Sequence, residues 1–384
     1  MSFKDDIIYL GESNIDKFLE NINSLPIYRP FSKDIIKKIL LFSDKLLKGD
    51  FSSEFKYLGF FFRKSNLETW KRKYYKKCLH PYGIAFHIVP TNVPNIFLFS
   101  SMFSVLTGNI AIVRVSFKII SQIEPILKLL KDLNILNKHL FIVSYPSEKE
   151  NITLKLSNIS QVRFIWGGNE TVNTVKKLSD NPYLKDITFP DRYSMSYIDL
   201  NYLFSSPEKE QRNFVKNFIK DINTFYQLAC SSPRMIFLKG TNKQIRKFIN
   251  LLLDLPLNLP EEIINRKLKN IMILSTSTKI KKVYKNALDN LVFLDIKDID
   301  KIFYKNLFIG GIVLLKKVKS IREIEKYIPE NIQTFTYFSK RKPNLKNFKT
   351  QPLRLVKIGE ALNFSHIWDG YNLILENLRW YKER

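Results

Sequence analysis

Between Cys78 and Val113 the chain contains no Asp, Glu, Lys or Arg, although 26% of all its residues are charged. A run this apolar must leave water, for a membrane or for the protein's own interior. Pro81, Pro90, Thr91-Asn92, Pro94 and Gly108-Asn109 cut it into short pieces, and the longest, residues 95–107, falls well short of the ~20 residues that a spanning helix needs. The run is therefore expected to be core.

The segments around it indicate what covers that core. After His80, short apolar and β-branched runs at 84–89, 110–115, 140–144 and 162–166 read as strands, and helical spacing fills the gaps at 95–107, 121–133 and 170–178. Such alternation gives a parallel sheet covered by helices. The first 75 residues read as helical. Ile35, Ile36, Ile39, Leu40, Leu46 and Leu47 recur at helical spacing there, with Ser32 as N-cap and Gly49 as the stop. A second α/β unit is expected to open near Ser205-Ser206-Pro207-Glu208, where a capping-box pattern starts a helix running towards Gln227. Strands at 235–238, 291–294, 312–315 and 334–338 and a helix at 242–253 follow it.

The formal charge of +26 admits a nucleic acid, an anionic membrane surface, or an acidic protein or cofactor as partner. The basic residues are scattered singly and in pairs such as Lys37-Lys38, Lys176-Lys177 and Lys316-Lys317, as on a solvated face. No nucleic-acid module and no aromatic residues interleaved on a basic surface accompany them, so no nucleic acid is expected. Two cysteines 152 positions apart build neither a disulfide framework nor a CxxC metal site. With no signal-peptide layout at the N-terminus and no membrane span, a cytoplasmic protein is expected.

Phosphate-loop, GxGxxG, HExxH and GxSxG patterns are all missing, and His80, His87, His139 and His366 are too dispersed for a metal cluster, so no metal is expected. Two places remain. Cys230 stands between a helix and a strand, in Gln227-Leu228-Ala229-Cys230-Ser231-Ser232-Pro233, where partial exposure and backbone N–H groups favour a reactive thiolate. A small buried hydrophobe is the alternative, as most unpaired cysteines are. In Val89-Pro90-Thr91-Asn92-Val93-Pro94, two prolines fix a turn at the end of a parallel strand and present the Asn92 amide, either as an oxyanion donor or as an ordinary turn residue.

The order of further motifs carries a family resemblance. Leu58-Gly59-Phe60-Phe61-Phe62-Arg63-Lys64-Ser65-Asn66-Leu67, Gly83 to Pro94, Gly108-Asn109 with Arg114-Val115-Ser116, Trp166-Gly167-Gly168-Asn169-Glu170-Thr171, Phe189-Pro190-Asp191-Arg192-Tyr193-Ser194, Ala229-Cys230-Ser231-Ser232-Pro233 and Trp368-Asp369-Gly370 together resemble the aldehyde dehydrogenase superfamily. Within it they are most similar to the LuxC-like acyl-thioester reductases. The resemblance covers nearly the whole chain. It implies an α/β fold with a Rossmann-type cofactor domain, an α/β catalytic domain and an active site between them. On that basis the chain is partitioned into 1–195 (N-terminal helices and cofactor domain), 196–365 (cysteine domain) and 366–384, a segment that packs back or takes part in oligomerisation.

By the same resemblance, Cys230 is the nucleophile that carries the acyl group, and Asn92 holds the oxyanion with the Cys230 backbone N–H. Pro90, Thr91, Arg114, Ser116, Trp166, Gly167 and Gly168 fall at cofactor-site positions. Arg114 replaces a Lys common in the superfamily, and its bidentate guanidinium favours NADPH over NADH. The superfamily's general-base Glu would fall near Phe189-Pro190, yet no Glu lies between Glu170 and Glu208, so the acyl-enzyme is expected to survive water until it is reduced. The implied partners are an acyl-CoA or acyl-protein donor, an acyl-activating synthetase and a second copy of the chain. A CoA-acylating aldehyde dehydrogenase running in the oxidative direction and a non-catalytic basic binding protein stand as alternatives.

Overall fold

The computed structural model describes residues 7–253, 259–277, 280–285, 291–297 and 308–381. The chain divides into two compact units, residues 1–190 with 364–384, and residues 191–363. The sequence partition had set these boundaries at 195/196 and 365/366.

In the first unit a short strand, β1 (Ile8–Tyr9), precedes four helices, α1 (Ile15–Asn23), α2 (Lys33–Lys48), α3 (Ser53–Phe61) and α4 (Lys64–Tyr74). The Ser32 hydroxyl caps α2 by accepting from the Ile35 N–H at 3.3 Å, and Gly49 ends that helix. Then come β2 (Leu79–Pro81), β3 (Ile84–Ile88), α5 (Ile96–Leu106), β4 (Ile110–Arg114), α6 (Ile120–Asp132), β5 (Leu140–Ser144), α7 (Glu150–Ile159), β6 (Val162–Trp166), α8 (Asn169–Lys176) and β7 (Lys185–Phe189). Six strands form a wholly parallel sheet in the order β1-β5-β4-β3-β6-β7. Strands covered on both faces have no polar side to show, which is why they read as continuous apolar runs.

The uncharged run supplies β3, α5 and β4. Every residue of α5 is buried, and its Phe99 and Phe103 rings pack with Phe61, Trp70 and Phe364 in an aromatic cluster. No helix among the described residues is long and apolar enough to cross a membrane. The motif Gly108-Asn109 is structural. Gly108 has φ +89°, and a Cβ there would lie 2.2 Å from the Tyr28 carbonyl oxygen, so only glycine fits. Asn109 accepts from the Gly83 N–H and donates to the Asn377 carbonyl, tying the returning C-terminal segment to the sheet.

The second unit contains β8 (Tyr193–Asp199), α9 (Leu200–Ser205), α10 (Glu208–Asn223), β9 (Met235–Lys239), α11 (Asn242–Leu253), α12 (Glu261–Ser277), β10 (Ile280–Lys285), β11 (Val292–Ile296), β12 (Ile312–Lys317), β13 (Ile332–Phe338) and β14 (Arg354–Lys357). Its sheet runs β10-β11-β12-β9-β8-β13-β14 and is parallel except for the edge strand β10. The unit therefore begins with β8, ahead of the 205–208 pattern at which the sequence places its start. Back in the first unit, β15 (Ile367–Trp368) and β16 (Tyr371–Asn372) form a hairpin, and β17 (Leu378–Trp380) pairs with β2.

Two expectations are corrected here. The capping box at 205–208 does not form: Pro207 is the N-cap of α10, without a side-chain bond, while the Ser205 and Ser206 hydroxyls turn back to the Tyr202 carbonyl within α9. Nor does α10 run on to Gln227. It stops at Asn223, because Phe225, Tyr226 and Gln227 all adopt positive φ.

Candidate active site

The first sheet has a point at which its connections reverse. From β3 the chain moves outward through β4 to β5, then returns to place β6 on the other side of β3. Open parallel sheets bind ligands outside the carboxyl ends of their strands at such a reversal. The register places Ile88 beside both Arg114 and Ile165, so β3, β4 and β6 end at one level. The segments leaving those ends are 89–94, 115–116 and 167–168, and together with the strand-end residues Arg114 and Trp166 they carry the residues expected at the cofactor site. Thr91 and Asn92 are exposed in the bend before α5, with Pro90 half-buried beside them. Ser116 caps a short 3-10 turn, accepting from the Lys118 N–H.

Arg114 ends β4. Its guanidinium lies over the Tyr145 ring, 5.3 Å from the centroid, and donates to the Tyr145 carbonyl at 3.2 Å, while its buried Nε has no partner among the described residues. A cation with a buried donor unused is suited to an anionic group. The residues present thus fit a dinucleotide: strand ends at a reversal point, two helices starting just beyond them, and a partly unsatisfied guanidinium.

Trp166 ends β6 with its ring stacked on Phe189 at 3.7 Å and 11°. Its Nε1 donates to the Ser100 hydroxyl at 3.0 Å, and Ser100 in turn contacts His87 Nδ1 at 2.8 Å. The following glycines do not use left-handed backbone. Gly168 is the extended N-cap of α8, and at Gly167 a Cβ would meet the Thr171 side chain at 3.0 Å. The sequence reading gave His87 no part in a site; its contact with Ser100 arises only where α5 packs against β3. Near the superfamily's general-base position, Phe189 is stacked on Trp166. Asp186, on the same strand, is held by Arg163 in a bidentate pair at 2.8 and 2.9 Å.

Cys230 belongs to the second unit, between Gln227 and β9. Across residues 229–238 it alone is not buried, and it is half-buried between a buried Ala229 and a buried Ser231. Its carbonyl accepts from the Ser194 hydroxyl at 2.7 Å. Arg234, four residues on, is 8% exposed with its guanidinium over Tyr193 at 4.7 Å, which places a positive charge at the same loop–strand junction. Neither Cys230 nor Cys78 is in a disulfide. No group of His, Cys, Asp and Glu that could hold a metal ion occurs among the described residues.

A sequence model of the family described as acyl-CoA reductase (LuxC) matches residues 62–269, more than half of the chain. No curated protein matches the chain in sequence. Among solved structures, 1-pyrroline-5-carboxylate dehydrogenase from Thermus thermophilus is similar with a TM-score of 0.72 and 11% identity, over 97% of this chain and 85% of that one. An aldehyde dehydrogenase from Brucella melitensis biovar abortus 2308 gives 0.69 and 12%, over 100% and 91%. Lactaldehyde dehydrogenase from Escherichia coli gives 0.60 and 12%, over 95% and 85%. At such identities the likeness establishes the fold, which is that of the aldehyde dehydrogenases.

Proposed function

This chain belongs to the LuxC family of acyl-CoA reductases, oxidoreductases acting on acyl groups, and from that premise we propose that it reduces an acyl thioester to an aldehyde through an acyl-Cys230 intermediate. The observation that carries the proposal is the half-open Cys230 in an otherwise buried run, at a junction held by side-chain hydrogen bonds.

The Cys230 thiolate attacks the thioester carbonyl of an acyl-CoA or acyl-protein donor, the donor's thiol leaves with a proton, and the acyl group remains on sulfur. We assign the oxyanion of each tetrahedral state to the Cys230 N–H and the Asn92 side-chain amide, because donors fixed where charge develops lower the barrier. A reduced nicotinamide cofactor, when bound, supplies hydride to the acyl carbon. One of the similar solved structures, a 1-pyrroline-5-carboxylate dehydrogenase from Thermus, carries NAD. In this chain Pro90, Thr91, Ser116, Trp166, Gly167 and Gly168 would line the cofactor, and the unused Arg114 donor favours the phosphate of NADPH. Collapse of the thiohemiacetal returns the Cys230 thiol and releases the aldehyde. No Glu between Glu170 and Glu208 is there to activate water against the acyl-enzyme.

Incubation with an acyl-CoA should give, by intact mass, an acyl adduct that Cys230→Ala abolishes and NADPH discharges. An adduct on Cys78, or none with any donor, would remove the proposal. An acyl-activating synthetase as donor partner and a homo-oligomeric state complete the reading.

A further inference from the structure

The ladder between β13 and β8 is irregular at one place, between Ile332 and Thr334. There the Thr334 N–H turns to the Ser194 hydroxyl oxygen at 3.2 Å, and the same hydroxyl donates its proton to the Cys230 carbonyl at 2.7 Å. Such irregularities re-aim a side chain without unpairing a strand, and they concentrate beside active sites. Ser194 is wholly buried. Its single proton goes to the residue that carries the thiol.

The other flank of the loop is held by Gln227, also wholly buried. Its amide nitrogen donates to the carbonyls of Pro233 at 3.0 Å and Ile312 at 2.9 Å, and its oxygen accepts from the Gly311 N–H at 3.0 Å. Phe225, Tyr226 and Gln227 lead into the loop at φ of 53°, 52° and 66°. Left-handed backbone costs a residue with a Cβ about 1–2 kcal/mol, and three in a row persist only where the surroundings over-determine them. The three Gln227 bonds and the Gly310 N–H on the Tyr226 carbonyl at 2.9 Å are those surroundings.

We infer that Ser194 and Gln227 are positioning residues that clamp the Cys230 loop from both flanks and so set where the thiol points. The inference rests on Cys230 being the nucleophile. An attacking atom displaced by about 1 Å can lose roughly 100-fold in rate, so a loop with a half-open thiol needs its backbone fixed from outside the loop. Ser194 fixes the Cys230 peptide directly, and Gln227 anchors the loop's exit at Pro233 to β12.

Three variants of the full chain test it. Ser194→Ala and Gln227→Met each remove one side of the clamp with little change of volume. Ser196→Ala is the control, since Ser196 is equally buried on the same strand but bonds Thr336 rather than the loop. The readouts are acyl loading from an acyl-CoA, split into kcat and KM, and the pH dependence of Cys230 alkylation by iodoacetamide, mapped by peptide so that Cys78 serves as internal reference. Both clamp variants should load about 10- to 100-fold more slowly with KM changed less than about threefold, and their Cys230 alkylation profile should shift while Cys78 and Ser196→Ala match the wild type. Clamp variants that load and alkylate as the wild type does, or a Ser196→Ala variant slowed as much as Ser194→Ala, would overturn the clamp. If Ser194→Ala does not fold, Gln227→Met decides. Undiminished loading in Cys230→Ala would instead overturn the nucleophile, a separate outcome.

Discussion

His87 shows how much a single side chain can specify once its neighbours are known. Asn377 donates through Nδ2 to the Leu373 carbonyl at 2.7 Å, so its Oδ1 is the acceptor for the Ser104 hydroxyl at 2.6 Å. With its proton committed, Ser104 must accept from His87 Nε2–H at 2.9 Å, which leaves Nδ1 to accept from Ser100, the hydroxyl that receives the Trp166 N–H. The neutral imidazole is therefore protonated on Nε2, and it stacks on Phe164 at 4.6 Å. Burial holds its pKa down at about 3. In the unfolded chain it titrates near 6.5, so between those values the unfolded state binds the extra proton and the native state loses stability as pH falls. His87→Gln keeps a donor and an acceptor without titrating. Its urea midpoint should fall less than that of the wild type between pH 6.5 and 4, and parallel curves would refute the assignment. The sequence offered His87 only as one of four scattered histidines; the valence argument needs a helix that puts residues 100 and 104 on one side of it.

At the scale of elements, the parts fixed by side-chain pattern were legible and those fixed by backbone dihedrals were not. β3 to β6 and α2 stood out because buried parallel strands and one-sided helices leave a periodic trace. The end of α10 left none, since nothing in Thr224-Phe225-Tyr226-Gln227 announces three left-handed residues. The edge strands β1, β7, β10 and β14 were missed because half-exposed short strands lack a long apolar run, and β8 and α12 were missed as well. What α10 does instead is hold the segment after β14: Asp221, 1% exposed, accepts from the N–H groups of Gly359 at 2.6 Å and Ala361 at 3.2 Å. Burial raises its carboxyl to about 7, against the pull of those two N–H groups towards the charged form. The native state then keeps a proton that the unfolded chain gives up near 4, so the buried neutral carboxyl favours the fold at acid pH, and that stability is lost as pH rises through that window to about 7 because the group must then ionise without water. Asp221→Asn, which cannot ionise, should show a shallower loss of stability than the wild type between pH 5 and 8 in urea unfolding. Equal slopes would mean that the carboxyl is charged throughout.

For the molecule as a whole, the aldehyde dehydrogenase fold was legible because motifs spaced from Gly59 to Gly370 kept the family's order, and the solved structures at TM-scores of 0.60 to 0.72 bear out the fold. Of the candidate site, the strand-end residues and Cys230 could be named from the sequence, whereas Ser194, Gln227, Ser100 and His87 have types common anywhere and acquire meaning only by contact. Charge is the remaining property of the whole chain, and it bears on the order of steps. Under the proposed function, a formal +26 would attract the phosphates of an acyl-CoA or the acidic surface of a carrier protein during encounter. Salt screens that attraction, with a Debye length of about 8 Å at 0.15 M. Reduction of an acyl group already bound to Cys230, with cofactor saturating, involves no further encounter with the donor. Raising salt from about 0.05 to 0.5 M should therefore slow acyl loading several-fold and leave single-turnover discharge of preformed acyl-enzyme nearly unchanged. Equal slowing of both steps would show that the positive charge serves the fold's solubility rather than capture of the donor.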